Sequence, residues 1–215
     1  DFYWNKVEGE DPGHKRLTEL EKDYNTMGHK IKWNTVFKFY RNQDLTRIQK
    51  SVKFKIVRDL YWVGKRLTRI NHKHNWCEHC KHTYDTLLKE TTRHIFSSCP
   101  QTAEFWDWID MVGYNLHIDI YPNKDIPEDW TRISGIRGYD INSKQPDEIR
   151  WQVVHAIALQ TIHLNHWQRK IRGKSLDMDA LKEQFKSRLK THLLVQAGQA
   201  HRSESKVELD CAKYD

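Results

Sequence analysis

The chain has 215 residues, of which 38% are hydrophobic and 30% charged, and its formal net charge is +7. This length allows one moderate domain or two small ones, and the lack of a long apolar run argues against a bilayer-spanning segment. The excess of cations indicates an acidic partner, most commonly RNA or DNA.

Residues 1–29 are predicted to form an N-terminal arm. The segment is mixed and slightly acidic, and Gly9, Pro12 and Gly13 favour a loop or an extended conformation at its start. A short helix is predicted from Leu17 to Tyr24. These residues alone assign no function to the arm.

The next segment, from about residue 30 to residue 73, is strongly basic. Trp33 to Tyr40 reads as a short helix, and Asp44 is predicted to cap a second one. The second helix has apolar residues three or four positions apart, which indicates an amphipathic helix that Gly64 bends or ends. These positions are Leu45, Ile48, Val52, Ile56, Leu60, Val63, Leu67 and Ile70.

The opposite face of this predicted helix carries cations interleaved with aromatic rings. Cations suit phosphates and rings suit bases or sugars, so the pattern predicts a nucleic-acid-binding face. An ordinary solvated face, with the two rings packed under another element, is the alternative. The predicted contact residues are Arg47, Lys50, Phe54, Arg58, Tyr61, Lys65, Arg66 and Arg69.

A complete set of metal ligands follows the basic segment. Cys77 and Cys80 form a C-x2-C pair, and His94 and Cys99 form an H-x4-C pair. Four such ligands suit tetrahedral Zn2+ and leave no position for a substrate, so the pattern predicts a structural zinc site. A disulfide pair or a thioredoxin-like redox pair is a weaker alternative. The few cysteines favour a reducing compartment, nuclear or cytoplasmic.

The histidine is the least certain of these ligands, because four other histidines lie nearby. They are His72, His74, His79 and His82. The run from Glu90 to Phe96 is predicted to begin a helix that contains His94, with Cys99 just past its end. A further helix is expected over 101–112, with Trp106 and Trp108 in the core.

The C-terminal half is predicted to be a loop-rich connection, a helical pair and a mobile tail. The connection spans 113–146, with a short strand or an extended loop at 116–120. One helix is capped by Asp147 and closed by Gly173, with structural histidines at 155, 163 and 166. The other runs from Ser175 or Asp177 to Gly198 and carries a second basic face. That face is Lys182, Lys186, Arg188 and Lys190.

These elements predict a mostly α, irregular helical domain built around a small CCHC structural zinc site, with few or no strands. The expected segments are 1–29, 30–112, 113–146, 147–198 and a tail at 199–215 in which Cys211 is a free thiol.

The residues around the zinc pattern also carry a family resemblance. They resemble the zinc-binding segment that follows the polymerase core of non-LTR (LINE-like) retrotransposon reverse transcriptases, over about residues 45–110. The matching positions, in order, are Arg58 to Gly64, Cys77-x2-Cys80, Glu90-Thr91-x2-His94-Ile95-Phe96, Cys99-Pro100 and Trp106. Trp167 to Lys170 resembles the tryptophan- and arginine-bearing helix that often follows in that family. The chain thus looks like that region, or like a host protein derived from it.

The resemblance implies that the chain grips template RNA or target DNA during target-primed reverse transcription. Catalysis does not carry over, because the residues hold no [FY]-x-D-D motif. Pro146-Asp147 is the only candidate start of a nuclease motif, and no suitably spaced carboxylate and lysine follow it. We therefore predict binding and no enzymatic activity for this chain. The alternative function is protein–protein interaction, by docking on the polymerase core or another partner, which the aromatic runs at 2–4 and 106–108 suggest.

Overall fold

The computed structural model describes residues 37–61, 63–64, 75–116, 118, 128–135, 146–173 and 176–211, together with positions 18 and 22. Within these ranges the chain is mostly helical and has no β-strand, which confirms the predicted fold class. The rest of the predicted arm, and the first part of the predicted helix at Trp33 to Tyr40, lie outside the described residues.

The described elements before residue 100 are short, whereas three of the four α-helices after it are long. In chain order they are a 3-10 turn at Phe37–Arg41, α1 at Arg47–Val57, α2 at Glu78–Tyr84, a π-helical turn at His94–Ser98, α3 at Pro100–Asn115, α4 at Glu128–Ser134, α5 at Pro146–Arg172 and α6 at Met178–Cys211.

Helix α1 begins two residues later than the sequence indicated. Thr46, and not Asp44, is its N-cap residue: the Thr46 hydroxyl accepts from the Gln49 amide, and the Gln49 side chain accepts from the Thr46 amide. This reciprocal pair is a capping box, which satisfies two backbone donors that the first turn leaves without a partner. Ile48 was expected on the buried side but is 62% exposed, so the predicted stripe is wrong at that position.

Helix α1 also ends earlier than predicted, at Val57. Asp59 has a left-handed backbone with φ of 48°. The Leu60 amide donates to the Lys55 carbonyl at 2.6 Å, and the Asp59 amide donates to the Ile56 carbonyl at 2.9 Å. This pattern is a Schellman motif, with aspartate in the position that glycine usually takes. The helix therefore stops well before Gly64.

The long helix α5 lies at the centre of the core. From Trp151 to Ile162 its side chains are buried on nearly every side, as expected for a helix surrounded by others. It packs against α1, α3 and α6, and the buried residues form one contiguous cluster from Phe39 to Phe185. The segments 30–112 and 147–198 thus share a single core. The apolar stripe of α5 does not reach its end, because Ile171 is exposed.

Helix α4 lies within the segment that the sequence predicted to be loop-rich. Gly135 follows it with φ of 74° and lies against the ring of His155. The Trp151 indole donates to the Gly135 carbonyl at 3.1 Å, which fixes this turn on α5. Of the predicted strand at 116–120, the structure describes Leu116 and Ile118, and neither belongs to a strand.

The end of α5 was predicted correctly, but the end of α6 was not. Gly173 has φ of 63° and closes α5 as expected. Asp177 precedes α6, and its carboxylate accepts from the Ala180 amide at 2.7 Å. Gly198 does not end α6, however, because the helix continues to Cys211 and so includes most of the predicted mobile tail. Leu193, five residues before Gly198, is already exposed and does not pack in the core.

Candidate metal centre and basic surface

The two cysteines of the C-x2-C pair lie at the start of α2. Cys77 is its N-cap residue and Cys80 lies in its first turn, so the two thiols face the same point. The Cys77 amide donates to the Leu88 carbonyl at 2.9 Å, and the Glu90 amide donates to the Asn75 carbonyl at 3.0 Å. These bonds close residues 75–90 into a compact loop, which we call the knuckle.

His94 and Cys99 lie at the two ends of the π-helical turn. The Cys99 amide donates to the His94 carbonyl at 2.7 Å across five residues, and the His94 amide donates to the Thr91 hydroxyl at 3.0 Å. The wider π turn brings both side chains onto the side that faces the knuckle. Cys99 is also the N-cap residue of α3, with Pro100 at the first helical position. This confirms that His94 lies in a helical turn and Cys99 just past it.

Side chains from α3 and α4 fix the π-helical turn in place. Three of its carbonyl oxygens, which would otherwise be left without backbone partners, accept side-chain hydrogen bonds. The donors are Thr102 to Ile95 at 2.9 Å, Trp106 to Phe96 at 2.8 Å and Arg132 to Ser97 at 3.4 Å. Trp106 is a core residue, as predicted, but its hydrogen bond was missed. Arg132 was missed entirely, because nothing in the sequence places residue 132 beside the turn.

The four predicted ligands converge on one point. Their ligand atoms all lie within 4.8 Å of one another. The Cys99 sulfur lies 4.0 Å from that of Cys77 and 3.9 Å from that of Cys80, and the Cys80 sulfur lies 3.3 Å from His94 Nε2. A tetrahedral site with bonds of about 2.3 Å to sulfur and about 2.0 Å to nitrogen would give sulfur–sulfur edges of about 3.8 Å and sulfur–nitrogen edges of about 3.5 Å. The cluster thus has the size of a filled tetrahedral metal site.

The cluster is buried, and its thiols cannot all ionise without a cation. Hydrogen bonding from Cys99 lowers the pKa of Cys77 to about 2. Burial and the Cys77 thiolate raise the pKa of Cys80 to about 11. Donation to Cys77, together with burial, raises the pKa of Cys99 far above its usual value. A divalent ion would remove this conflict, because it stabilises several thiolates at once.

The geometry also bears on the disulfide alternative for these cysteines. All three thiols are free, and their sulfurs are too far apart for a disulfide, which requires about 2.05 Å. His79 does not belong to the tetrad, and His82 is exposed and pairs with Glu78 at 3.2 Å. His72 and His74 lie outside the described residues. The four residues could therefore hold a metal ion as a closed site with no open position.

The predicted nucleic-acid-binding face is only partly exposed. Arg47 is exposed, whereas Lys50, Phe54 and Arg58 are half-buried. The Arg58 guanidinium lies over the Phe54 ring, 5.2 Å from its centroid, and Phe54 also packs against two other rings. These are Phe37 and Tyr40. Phe54 is therefore mainly a packing residue.

Tyr61 is a correction to that prediction. Only 2% of it is exposed, and its hydroxyl is hydrogen-bonded to Nδ1 of His163 on α5 at 2.5 Å. The helix ends before Tyr61, so the helical face that the sequence predicted does not extend to it. Lys65, Arg66 and Arg69 lie outside the described residues, and their prediction stays open.

No protein-family model, curated protein or solved structure matches this chain. The resemblance to the post-polymerase segment of non-LTR reverse transcriptases therefore stays a prediction. Among the described residues, no helix combines the length and the apolar character that crossing a bilayer requires.

Proposed function

We propose that this chain is a nucleic-acid-binding module whose fold is held together by a structural zinc ion. Three thiolates and one imidazole in a tetrahedron favour Zn2+ over harder cations, which prefer oxygen ligands. The four positions would all be occupied by protein, which suits a structural role rather than a catalytic one. The ligands would be Cys77, Cys80, His94 and Cys99.

The observation that carries nucleic-acid binding is the exposed positive charge of Arg47 and Lys55 on α1. Its eleven residues contain four cations and no acidic residue. Arg47 and Lys55 are exposed, and within the described ranges no ion pair joins either of them to a carboxylate. The field of Lys55 contributes, after burial, to the lowered pKa of His163. Such a surface attracts phosphates through counterion release.

Helix α1 is anchored in the core through its other side. Val52 and Ile56 are buried, and Lys53 is buried too, with 1% exposure. The Lys53 ammonium donates to the Gln152 side chain on α5 at 2.5 Å and lies 4.8 Å from the centre of the Phe39 ring. The exposed cations are therefore presented on a fixed helix, which lowers the entropy that binding would cost.

The proposed role is that of a grip on template RNA or target DNA, as the resemblance to non-LTR reverse transcriptases implies. The proposal assigns the chain no reaction of its own. Every ligand position of the tetrad is taken by protein, and the chain adds phosphate contacts rather than chemistry.

Filter binding across a salt series tests this proposal with a single-stranded RNA and a DNA duplex as probes. We expect wild-type affinity to fall steeply with salt. The R47E/K55E variant should bind at least about tenfold more weakly on single strands, and its log–log salt slope should be shallower by about 1.4, because each lost phosphate contact removes about 0.7. The matched control is R172E/K190E, which reverses two exposed cations on α5 and α6. Equal weakening by both variants, or no salt-dependent wild-type binding, would refute the proposal.

Protein–protein interaction is a second candidate function, favoured by one observation. Leu193, Leu194 and Val195 on α6 are consecutive and exposed, and they lie beyond the part of α6 that packs on the core. A function carried by this apolar run would be insensitive to salt and lost in L194E, whereas R47E/K55E would leave it unchanged. Comparing L194E with R47E/K55E therefore separates protein–protein interaction from nucleic-acid binding.

A further inference from the structure

Arg169, near the end of α5, reaches the predicted metal ligands from outside the tetrad. Its Nη1 atom lies 4.0 Å from the Cys77 sulfur, and its Nη2 atom donates to the side-chain oxygen of Gln101 at 3.1 Å. Gln101 lies two residues after the ligand Cys99. One planar guanidinium thus spans both halves of the site, the knuckle and the start of α3.

Gln101 continues this contact to the turn between α5 and α6. Its oxygen also accepts from Asn165 at 3.3 Å, and its nitrogen donates to the Leu176 carbonyl at 2.7 Å. The Leu176 amide in turn donates to the Asn165 oxygen at 3.2 Å. Leu176, just before α6, is therefore hydrogen-bonded to the same Gln101 side chain that the Arg169 guanidinium contacts.

The net charge of the metal-bound tetrad explains why a positively charged side chain such as Arg169 would lie beside it. Three thiolates and a neutral imidazole around a divalent ion carry a net charge of −1, and the tetrad is buried. A buried charge is costly unless a counter-charge and hydrogen bonds compensate it. Arginine suits this position because its flat fork can donate to two acceptors at once.

We propose that Arg169 is an outer-sphere partner of the metal centre, donating to the Cys77 thiolate, balancing the charge of the site and fixing the α5–α6 turn to it. Arg169 acts through the ligand and is a positioning residue. The inference rests on the metal site of the proposed function, but it is independent of nucleic-acid binding. It also means that the metal organises the C-terminal helical pair as well as the knuckle.

Cobalt substitution of the whole chain tests the inference, because Co2+ gives a tetrahedral absorption spectrum and a thiolate-to-metal charge-transfer band. We expect R169Q to bind Co2+ about 10–100-fold more weakly, the usual effect of losing an outer-shell partner. Its charge-transfer band should move to lower energy, because the thiolate loses a hydrogen bond. R169K keeps the charge but not the fork, and should lie between wild type and R169Q.

R172Q is the matched control, since Arg172 is an exposed arginine on the same last turn of α5. It should match wild type in both affinity and spectrum. An R169Q protein with the affinity and spectrum of R172Q would overturn the inference. If circular dichroism shows that R169Q does not fold, R169K takes its place in the test. A charge-transfer band of R169K at the wild-type energy would then overturn the inference. If the wild-type chain gives no tetrahedral Co2+ spectrum, both the proposed metal site and this inference are refuted.

Discussion

The carboxylate of Glu90 and the ammonium of Lys170 lie 2.6 Å apart, with 1% and 4% of their side chains exposed. This ion pair joins the knuckle to α5. The Gly64 amide also donates to the Glu90 carboxylate at 3.1 Å, and Nε2 of His166 lies 3.8 Å from it. Two charges removed from water in this way depend on each other, because either one alone would be buried without compensation.

We therefore expect E90Q and K170M each to lower the free energy of unfolding by about 3–5 kcal/mol, and the double variant E90Q/K170M to lose less than the sum. The exposed pair of Glu183 and Lys186 on α6 is the control, also 2.6 Å apart. Its loss in E183Q/K186M should cost below about 1 kcal/mol. Urea unfolding measures all of these values. Single variants at Glu90 or Lys170 as stable as wild type would contradict the expectation.

Metal removal is expected to unfold the knuckle and to weaken the shared core. Wild type should melt at a clearly lower temperature in the presence of a strong chelator, because metal binding and folding are coupled. C99S should melt lower than wild type without chelator and should respond little to it. C211S, which changes the cysteine outside the tetrad, should behave like wild type. Identical melting curves for wild type with and without chelator would count against a structural metal.

Gly135 should tolerate no side chain. A Cβ atom there would lie 2.7 Å from Nδ1 of His155, and the backbone is left-handed with φ of 74°. G135A should therefore cost about 2–3 kcal/mol, through strain and overpacking together. Gly173 separates the two effects, since it has φ of 63° and open space around it. G173A should cost only about 1 kcal/mol. Thermal unfolding of both variants gives the comparison, and equal losses would show that contact with His155 does not matter.

His163 should make stability fall in mild acid. Burial first, and the nearby Lys55 second, lower its pKa from 6.5 to about 4. Its stabilising effect is therefore complete above pH 6.5 and is lost as the pH falls towards 4, because the unfolded chain takes up the proton more readily.

We expect this histidine to account for about 1–2 kcal/mol over that range, less than the full linkage value because solvent reaches part of the ring. H163N keeps a polar side chain that can hydrogen-bond to the Tyr61 hydroxyl but cannot titrate. Its unfolding free energy should change less than that of wild type between pH 6.5 and pH 4. The exposed residue His82 gives the control variant H82N, which should keep the wild-type slope. An H163N slope equal to that of wild type would refute this assignment.

The features predicted correctly depend on residues that lie close together in the sequence. The C-x2-C and H-x4-C spacings each fix two ligands within a single turn of backbone, so the tetrad follows from local geometry. The closure of α5 at Gly173 is local in the same sense, because it needs one residue that accepts a positive φ.

The early end of α1 has a different origin, because it involves a contact between residues far apart in the sequence. Leu60, Val63 and Leu67 continue the apolar spacing of α1, but Asp59 takes the left-handed conformation and ends the helix first. The Asp59 carboxylate accepts from the Thr92 hydroxyl beside the metal ligands, which favours this conformation. The partner is 33 residues away in the sequence, so periodicity could not reveal it.

By itself, the sequence determined the helical class, the four candidate ligands and the basic character of α1, since helical periodicity, ligand spacing and charge are local or additive properties. Only the tertiary structure decided which cations reach solvent, why Tyr61 and Lys53 do not, and that Arg132 and Arg169 contact the segments that carry the candidate ligands. Those outcomes depend on the packing of α4 and α5 against α1 and against the π-helical turn. Such packing joins residues far apart in the chain, and burial then determines whether each polar group finds a partner.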